Sequence, residues 1–550
     1  MMLSWRKEPG LRRVVLTAAI FFVILVTLLL HRYFTYYAAI DQGIFNQVFW
    51  NGTHGRFFQS SLSSQLSTNV VHSGELPMVN YHRLGQHFTP ALLLWLPIYY
   101  LLPSPATLCV LQAIFTAVAG VLLYALARQY LEARLALGIM VSFYCAIAVL
   151  NPILANFHDL GQIPLFVFGL LLAMEKRQWW IFGFLCLAIL AVREDSAITL
   201  FGVGAYLIAS RRYPKIGLGV CALSVTYFLL VTNVFMPFFS EDISKRFMIE
   251  EFGEYVDSEE ASTVDVIWAL ISRPGQLLRG IFLPLEDTLE YLFGHWLPLA
   301  FVPAVAPAAW IIAGLPLIKL SLADSGLNIN IRYALTVVPG VFYGAVLWWA
   351  GQGLRRFHRP LATLEPRQPS RNFRRFWSAC LILSLLFVPI ANAHRAFYFV
   401  MPDSIQPWVH VPFWTQWQRT SDINQLIAQI PPDASVAAMN DMVPNISGRR
   451  AALRLPLFSF VDDQGEAQDV DYILVDFWKL QEYQVAFKRD RKRLDSYSKL
   501  VNKLLKRNLY GMVEFRDGVV MLQRDVTSAP PAEQAWQALY QEIQQMDLTT

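Results

Sequence analysis

Four carboxylates stand in short polar turns at the ends of long apolar segments. Asp41 lies in YYAAIDQGIFNQVFWNG, Asp159 in the turn FHD, and Glu194 and Asp195 in the turn RED. A carboxylate in a partly buried cavity could act as a general base, because burial raises its pKa toward the range where it accepts a proton. It could equally bind Mg²⁺ or Mn²⁺, which take hard oxygen ligands and bridge to phosphate. For Asp159, Glu194 and Asp195, the spacing leaves both the general base and the metal site open.

These turns also have a purely structural interpretation. Asp41, Asp159 and Asp195 stand where helices are predicted to begin, and Asp is favoured at the N-cap, where it also suits the helix dipole. Caps of different helices need not approach each other. Carboxylates at three helix ends on one side of the molecule can converge on one cavity, so convergence is what separates the two interpretations.

Basic and aromatic side chains near the same turns could bind an anion. Arg83, Arg193 and Arg332 could each hold a phosphate through two parallel hydrogen bonds, although snorkelling from a helix end is a common alternative. Tyr333 follows Arg332 at the start of a predicted helix, and His158 is the histidine of the FHD turn. All five are therefore candidate substrate-binding residues.

Two further histidines lie in YHRLGQHF. His82 and His87 are five residues apart, which is poor spacing for one helix face and argues against a zinc pair. His87 stays a candidate for substrate binding.

The elements that must position these residues follow from an apolar composition. Of 550 residues, 55% are hydrophobic and 16% are charged, whereas soluble domains carry about 25% charged residues. The five cysteines lie inside apolar runs, so we expect neither a disulfide framework nor a thiolate metal site. A membrane span needs about 20 mostly apolar residues. Eleven segments are predicted to be spans: 14–31, 106–127, 133–151, 160–174, 178–192, 196–210, 216–238, 278–297, 299–320, 332–350 and 376–392.

Lysine and arginine indicate which side of the membrane each loop occupies, because they gather on the cytoplasmic side. With the N-terminus inside, the basic clusters at 128–134, 176–177, 211–215 and 355–375 all fall on that side. We therefore expect an integral protein of the cytoplasmic membrane with its C-terminal region outside. The outer side also receives segment 32–105, the FHD and RED turns, and an acidic loop at 239–275. Apolar segment 88–102 is expected to be interfacial or re-entrant.

The C-terminal region is predicted to be a soluble α/β domain. VDYILVDF (470–477) is typical of a strand, and VEFRDGVVMLQ (513–523) carries Asp-Gly between two alternating runs, a hairpin signal. Residues 430–441 are predicted to form a turn, a strand and a second turn. Residues 487–507 form a basic amphipathic helix, either solvated or lying against anionic lipid headgroups. The chain is thus divided into a transmembrane domain, 1–392, with interfacial helices in 32–105, and a soluble domain, 393–550.

These features together resemble a known family. The Asp after the first span, the passage HFTPALLLWLPIYYLLPSPATLCVLQAIFTAVAGVLLYALAR, the FHD and RED turns and the soluble C-terminal domain resemble the polytopic membrane proteins called domain of unknown function 2079. The resemblance covers roughly residues 14–525. That family looks like a branch of the GT-C glycosyltransferases. The expected fold is therefore a polytopic α-helical membrane protein, GT-C-like, with about eleven transmembrane helices and a C-terminal extracytoplasmic α/β domain.

The resemblance implies an activity and its partners. GT-C enzymes transfer sugars from polyprenyl-phosphate donors with inversion, and an acidic residue in the first outer loop acts as base or binds metal. Here that residue is Asp41, and it is followed by Gln42 where many members have a second acid, which favours a lone base. The implied partners are a polyprenyl-phosphate sugar, membrane lipid and a glycan, lipid or protein acceptor, and not nucleic acid. Mg²⁺ or Mn²⁺ is the implied cofactor, if any, at Asp159, Glu194 and Asp195.

Two functions of other classes compete with transfer. A transporter or flippase of a lipid-linked glycan would be expected to show internal repeats and broken spans at matching positions, and no such repeat is evident. A non-catalytic scaffold would use residues 393–550 as a binding module. It would tolerate Asp41→Asn but not deletion of that module.

Overall fold

The computed structural model describes residues 10–240, 263–323, 326–391, 395–397, 399–546 and 548. Most of the predicted acidic loop at 239–275 lies outside these ranges, as does the predicted domain boundary near residue 393. The boundary therefore stays a prediction.

The described chain is mainly helical. Its α-helices in chain order are α1 (Leu11–Phe34), α2 (Ile40–Thr53), α3 (Ser61–Ser64), α4 (Thr68–Ser73), α5 (Leu96–Leu101), α6 (Pro105–Ala127), α7 (Ala133–Tyr144), α8 (Ile147–Ala155), α9 (Ile163–Glu175), α10 (Trp179–Val192), α11 (Ser196–Ala209), α12 (Pro214–Leu230), α13 (Met236–Phe239), α14 (Thr263–Ser272), α15 (Pro274–Phe282), α16 (Leu285–Trp296), α17 (Pro307–Leu322), α18 (Ala334–Trp349), α19 (Arg371–Ala391), α20 (Phe413–Ile427), α21 (Val443–Ile446), α22 (Phe477–Gln484), α23 (Lys488–Lys506) and α24 (Pro530–Gln545).

Nine strands occur in the described C-terminal part of the chain. They are β1 (Ser404–Ile405), β2 (Trp408–Val409), β3 (Val436–Ala438), β4 (Ala452–Arg454), β5 (Ser459–Val461), β6 (Ala467–Asp469), β7 (Tyr472–Asp476), β8 (Tyr510–Arg516) and β9 (Val519–Arg524).

The chain divides into two compact units. The first, called the helical unit, comprises Met1–Leu29, Leu84–Pro97 and Cys109–Ala393. The second, called the sheet unit, comprises Leu30–Arg83, Ile98–Leu108 and His394–Thr550. The segment that carries Asp41 therefore belongs to the same unit as the C-terminal strands.

Four of the described helices are long and apolar enough to cross a membrane: Leu11–Phe34, Pro105–Ala127, Pro214–Phe239 and Arg371–Ala391. The pair α7 and α8 would form a fifth span if it is taken as one helix bent by 42°. Four further apolar helices (α10, α11, α17 and α18) have 10–17 residues each. The predicted count of eleven spans is not confirmed.

Helix breaks explain much of the difference between the predicted spans and the observed helices. The predicted span 278–297 is divided between α15 and α16, with Pro284 as the N-cap of α16. The predicted span 160–174 begins with a short 3₁₀ segment, Asp159–Gln162, before α9. Apolar composition alone reports neither break.

Helices α17 and α18 of the helical unit pack closely against each other. A Cβ added at Gly340 of α18 would lie 2.7 Å from the backbone nitrogen of Ala313, and one added at Gly344 would lie 2.5 Å from that of Ala309. Small residues four apart are the usual means by which apolar helices approach closely. This contact fixes the position of α17 against α18, and with it the position of Lys319, which lies in α17.

The sheet unit is built on a five-stranded sheet in the order β4-β3-β7-β9-β8. Strands β4, β3 and β7 are parallel, and the β8–β9 hairpin adds antiparallel to β7. Asp517 and Gly518 both have positive φ, 46° and 72°, as a two-residue turn of this hairpin requires. The predicted hairpin and strand 470–477, the strand within 430–441 and the basic helix (α23) are confirmed.

Helix α2 forms part of the core of the sheet unit. Ile40 and Ile44 are buried with Leu62 of α3 among the side chains of β3, β7 and β9. The predicted helix at Asp41 is confirmed. Ile40 and Ile44 therefore pack on the C-terminal strands, and the placement of this helix in the membrane interface stays a prediction.

Candidate functional site

The RED turn is buried inside the helical unit. Helix α10 ends at Val192 and α11 begins at Ser196, and the exposed fractions of Arg193 and Glu194 are only 2% and 3%. Asp195 occupies the N-cap position of α11, but its side chain makes no capping hydrogen bond. A capping role therefore does not explain Asp195.

Both oxygens of Glu194 have partners. Its Oε1 lies 3.0 Å from Nδ1 of His87 and accepts from Nε of Arg193 at 3.3 Å. Its Oε2 accepts from the backbone N–H of Phe88 at 2.9 Å. Glu194 thus ties the segment at 84–97 to the RED turn and holds the Arg193 guanidinium.

Asp195 connects the turn to α17. Its Oδ1 lies 3.5 Å from Nε of Arg193, and its Oδ2 accepts from Nζ of Lys319 at 3.4 Å. Lys319 lies in α17, so one carboxylate holds cations from two separate elements.

Three cations surround the ring of Tyr333. Nζ of Lys319 lies 4.9 Å from the ring centroid, and the guanidinium carbons of Arg193 and Arg332 lie 5.2 and 5.3 Å from it. Cations within about 6 Å of an aromatic face are attracted to it, but they repel each other. Such a group of cations is a suitable binding site for a phosphate or another anion.

The FHD turn supplies a further carboxylate to this cluster. His158 and Asp159 are buried at the start of the 3₁₀ segment, and Oδ1 of Asp159 accepts from the backbone N–H of Leu160 at 2.8 Å. Asp159 is also close enough to Arg193 to interact with it electrostatically. His158 stands at the N-cap position without a side-chain capping bond, and its backbone N–H donates to Gln112 at 2.8 Å.

Most predicted site residues of the helical unit therefore converge on one cluster. Its members are His87, Asp159, Arg193, Glu194, Asp195, Arg332 and Tyr333, with His158 beside Asp159. We call this group the RED cluster. Independent helix caps need not approach each other, so this convergence favours a shared site over separate caps.

Sequence reasoning missed Lys319, which also belongs to the RED cluster because it contacts Asp195 and Tyr333. It is the only ionisable residue in the predicted span 299–320, and an ionisable side chain within a span is a functional candidate by default. That signal was available from the sequence, but its pairing with Asp195 and Tyr333 was not, because it depends on how α17 packs.

Asp41 and Arg83 belong to the sheet unit. Asp41 lies in the first turn of α2, whose N-cap is Ala39, so Asp41 is not the cap of that helix. It interacts electrostatically with Arg454 at the end of β4. The guanidinium of Arg83 lies 4.8 Å from the ring centroid of Phe45 in α2, and its Nη1 donates to Ser63 at 3.4 Å.

Two of the three predicted metal ligands, Glu194 and Asp195, are engaged in ion pairs. Glu194 and Asp195 each contact Arg193, and Asp195 also contacts Lys319. Within the described ranges no three His, Cys, Asp or Glu side chains are grouped as metal ligands. The arrangement thus fits an ion-pair network better than a magnesium site, and metal involvement stays a prediction.

Apolar helices that are long enough to cross a membrane, together with a buried cluster of charges at helix ends, define an integral membrane protein. The chain belongs to the family described as "Predicted membrane protein (DUF2079)", whose model matches residues 31–521. The resemblance to this family stated from the sequence is confirmed.

The solved structures that are similar to this chain include two states of one protein. ArnT from Cupriavidus metallidurans bound to undecaprenyl phosphate is 12% identical, with a TM-score of 0.45 over 93% of this chain and 99% of ArnT. The apo state of the same ArnT is 12% identical, with a TM-score of 0.43 over 94% and 100%. Comparison with curated proteins gave no match.

Proposed function

We propose that this chain is an inverting membrane glycosyltransferase of the GT-C type. It transfers a sugar from a polyprenyl-phosphate donor to an acceptor at the outer membrane face. The RED cluster binds the donor phosphate, and Asp41 is the base that activates the acceptor hydroxyl.

The observation that carries the proposal is the group of three cations around Tyr333. Arg193, Lys319 and Arg332 all lie within 5.3 Å of one ring centroid. Arginine matches phosphate with two parallel hydrogen bonds, and lysine acts as a point charge. A lipid-linked phosphate is the anion that an integral membrane protein of this kind can reach from the bilayer.

The carboxylates of the RED cluster are positioning residues in this proposal. Glu194 holds Arg193 and His87, and Asp195 holds Arg193 and Lys319. Charges that are fixed before the reaction stabilise developing charge without the need to reorganise. Glu194 and Asp195 therefore keep the cations in place while the leaving phosphate gains negative charge.

The chemical step balances as a single displacement. The acceptor hydroxyl loses its proton to the Asp41 carboxylate, and its oxygen attacks the anomeric carbon from the face opposite the phosphate. The bond between that carbon and the phosphate oxygen breaks, and polyprenyl phosphate leaves with the electron pair. The transition state resembles the oxocarbenium ion of glycoside hydrolysis, and the configuration inverts.

Substitution of Lys319 tests the phosphate assignment. Lys319→Gln removes one cation and leaves a side chain of similar length, so we expect about a tenfold or greater rise in the KM for polyprenyl-phosphate sugar, from the loss of roughly 1.5–3 kcal/mol for a charged hydrogen bond. The measurement is transfer of radiolabelled sugar from a panel of polyprenyl-phosphate donors by purified protein.

Lys215→Gln is the matched control, because Lys215 is exposed at the start of α12. Its KM should equal that of the wild type. An unchanged KM in Lys319→Gln would contradict the role of the RED cluster in donor binding.

A further inference from the structure

The sheet unit has a cluster of arginines at the carboxyl edge of its parallel strands. Arg454 is the last residue of β4 and is aligned with Ala438, the last residue of β3. In open α/β sheets, ligands bind outside the carboxyl ends of the parallel strands. Residues that follow these strands therefore stand where a ligand is expected.

Arg454 is held in place by its backbone. Its N–H donates to Oε1 of Gln65 at 2.8 Å, and its carbonyl accepts from Nε2 of the same side chain. Arg454 is half-buried, and within the described part of the chain its guanidinium makes neither an ion pair nor a hydrogen bond. Gln65 thus fixes the backbone of an arginine whose guanidinium has no ion-pair partner among the described residues.

Helix α23 brings two more arginines to the same edge. Arg489, Arg493 and Tyr497 are spaced four residues apart, so they share one face of the helix. The hydroxyl of Tyr497 donates to the carbonyl of Leu455 at 3.1 Å, directly after Arg454. This contact places the face with Arg489 and Arg493 beside the end of β4.

The carboxylates of the sheet unit leave these arginines largely uncompensated. Asp490 pairs with Arg395 at 2.5 Å and approaches Arg493 only to 3.9 Å. Arg489 is exposed and has no carboxylate partner among the described residues. Three guanidinium groups therefore share one edge with little opposing charge.

The mutual repulsion of these cations lowers the pKa of Arg454. Burial lowers the pKa of Arg454, and although Tyr497 opposes this, the charges of Arg493 and Arg489 lower it further. Asp41 is the carboxylate that acts in the opposite sense on this arginine. An anion bound at this edge would relieve the repulsion.

Asp41 lies at the same edge because of how α2 packs. A Cβ added at Gly43 would lie 2.7 Å from Cγ1 of Val443 and 3.4 Å from the backbone nitrogen of Pro444. The first turn of α2 is therefore against α21, which follows β3. Asp41, two residues before Gly43, belongs to that turn.

We propose that Arg454, Arg489 and Arg493 bind an anionic group of the acceptor, a phosphate or a carboxylate, and so place a neighbouring hydroxyl at Asp41. The acceptor is then an acidic molecule, such as a uronic-acid or phosphate-bearing glycan. This inference rests on the proposed function for the role of Asp41. The anion site itself requires no transfer reaction.

The test is protection of arginines from p-hydroxyphenylglyoxal in the full-length protein in detergent, read residue by residue by mass spectrometry. The probes are inorganic phosphate and D-glucuronate at constant ionic strength, with D-glucose as the neutral control. We expect either anion to slow modification of Arg489 and Arg493 several-fold. Arg507, exposed at the end of α23, should react at an unchanged rate.

Two variants locate the site. Arg454→Gln should shift the anion concentration for half-protection of Arg489 about tenfold upward, as expected for loss of roughly 1.4 kcal/mol, and Arg454→Lys should restore part of it. Arg493→Gln, which removes a cation that approaches Asp490 only to 3.9 Å, should give the same shift. Arg507→Gln is the matched control and should give none.

The other outcomes would overturn the inference. Equal protection of Arg507 would mean general screening by ions. Protection by phosphatidylglycerol or decaprenyl phosphate, but by neither soluble anion, would assign these arginines to a lipid. Because no arm measures transfer, failure here is distinguishable from failure of the glycosyltransferase proposal.

Discussion

Lys479 illustrates how the sheet unit accommodates a buried charge. Its exposed fraction is 4%, and its ammonium contacts Oδ2 of Asp441 at 2.8 Å, donates to the carbonyl of Tyr36 at 2.6 Å and lies 3.6 Å from the ring centroid of Tyr37. Breaking such a pair leaves an uncompensated buried charge, which costs about 3–5 kcal/mol. Asp441 therefore stabilises the fold because it compensates the buried charge of Lys479.

The pH dependence of this contribution follows from the pKa of Asp441. Burial alone would raise this pKa, but the charge of Lys479 and its hydrogen bond lower it to about 2. A depressed carboxylate pKa stabilises the fold above the unfolded pKa of about 4, and this stability is lost as the pH falls toward 2.

Asp441→Asn should reduce the free energy of unfolding by about 2 kcal/mol or more at pH 7, from a shift of nearly two pKa units at about 1.4 kcal/mol each. The reduction should be the same at pH 5 and smaller at pH 3. The measurement is thermal unfolding of the detergent-purified protein at these three pH values. Asp433→Asn, at an exposed position, is the control, and an equal effect of both variants would contradict this account.

The sequence was sufficient to identify most residues of the RED cluster, because charges next to apolar segments are rare. Glu194, Asp195 and Arg332 could be found in this way. The partners could not be predicted, since the contacts of Asp195 with Lys319 and of Glu194 with His87 join residues more than 100 positions apart. Arg454 gave no signal, because an arginine in a predicted soluble α/β domain is ordinary.

At the scale of elements, close helix contacts position the charges. Gly340 and Gly344 of α18 bring its backbone against that of α17, and α17 carries Lys319. Interiors are packed to crystal-like density, so an added methyl group must displace its neighbours. The backbone of Ala309 cannot move as a flexible side chain can.

Gly344→Ala should therefore destabilise the protein by about 1–3 kcal/mol, the usual result of overpacking. Gly314→Ala in α17 is the matched control, because a Cβ at Gly314 meets no atom within 4 Å, and alanine favours a helix by about 1 kcal/mol. Thermal unfolding in detergent measures both. A Gly344→Ala protein as stable as the control would show that the two helices are less tightly packed than described.

The secondary-structure elements of the sheet unit were easier to predict from the sequence than those of the helical unit. Asp517-Gly518 and the alternating runs beside it were enough to predict the β8–β9 hairpin, because turn chemistry is local. The helical unit was harder, since α10, α11, α17 and α18 are shorter than the usual span and hydropathy does not report where a helix ends. Pro284 marks one such break, and its effect on the predicted span 278–297 was not predicted.

At the scale of the whole chain, the sheet unit joins residues that are far apart in sequence. Asn46 of α2 donates to Ser447 at 2.9 Å, and Gln47 donates to the carbonyl of Arg449 at 3.1 Å. Deletion of residues 395–550 would therefore also remove the support of α2 and Asp41. Loss of function on that deletion does not distinguish a scaffold from an enzyme, whereas a substitution at Asp41 does.

The most direct test of the account is sugar transfer by purified protein from a panel of polyprenyl-phosphate donors, comparing wild type, Asp41→Asn and Asp433→Asn, each with and without EDTA. We predict transfer by wild type and Asp433→Asn, and at least a hundredfold loss in Asp41→Asn, within the range of about 10²–10⁴ that a general base contributes. Sensitivity to EDTA would add a metal to the site. Absence of transfer from every donor, with Asp41→Asn still complementing a knockout, would contradict the catalytic assignment.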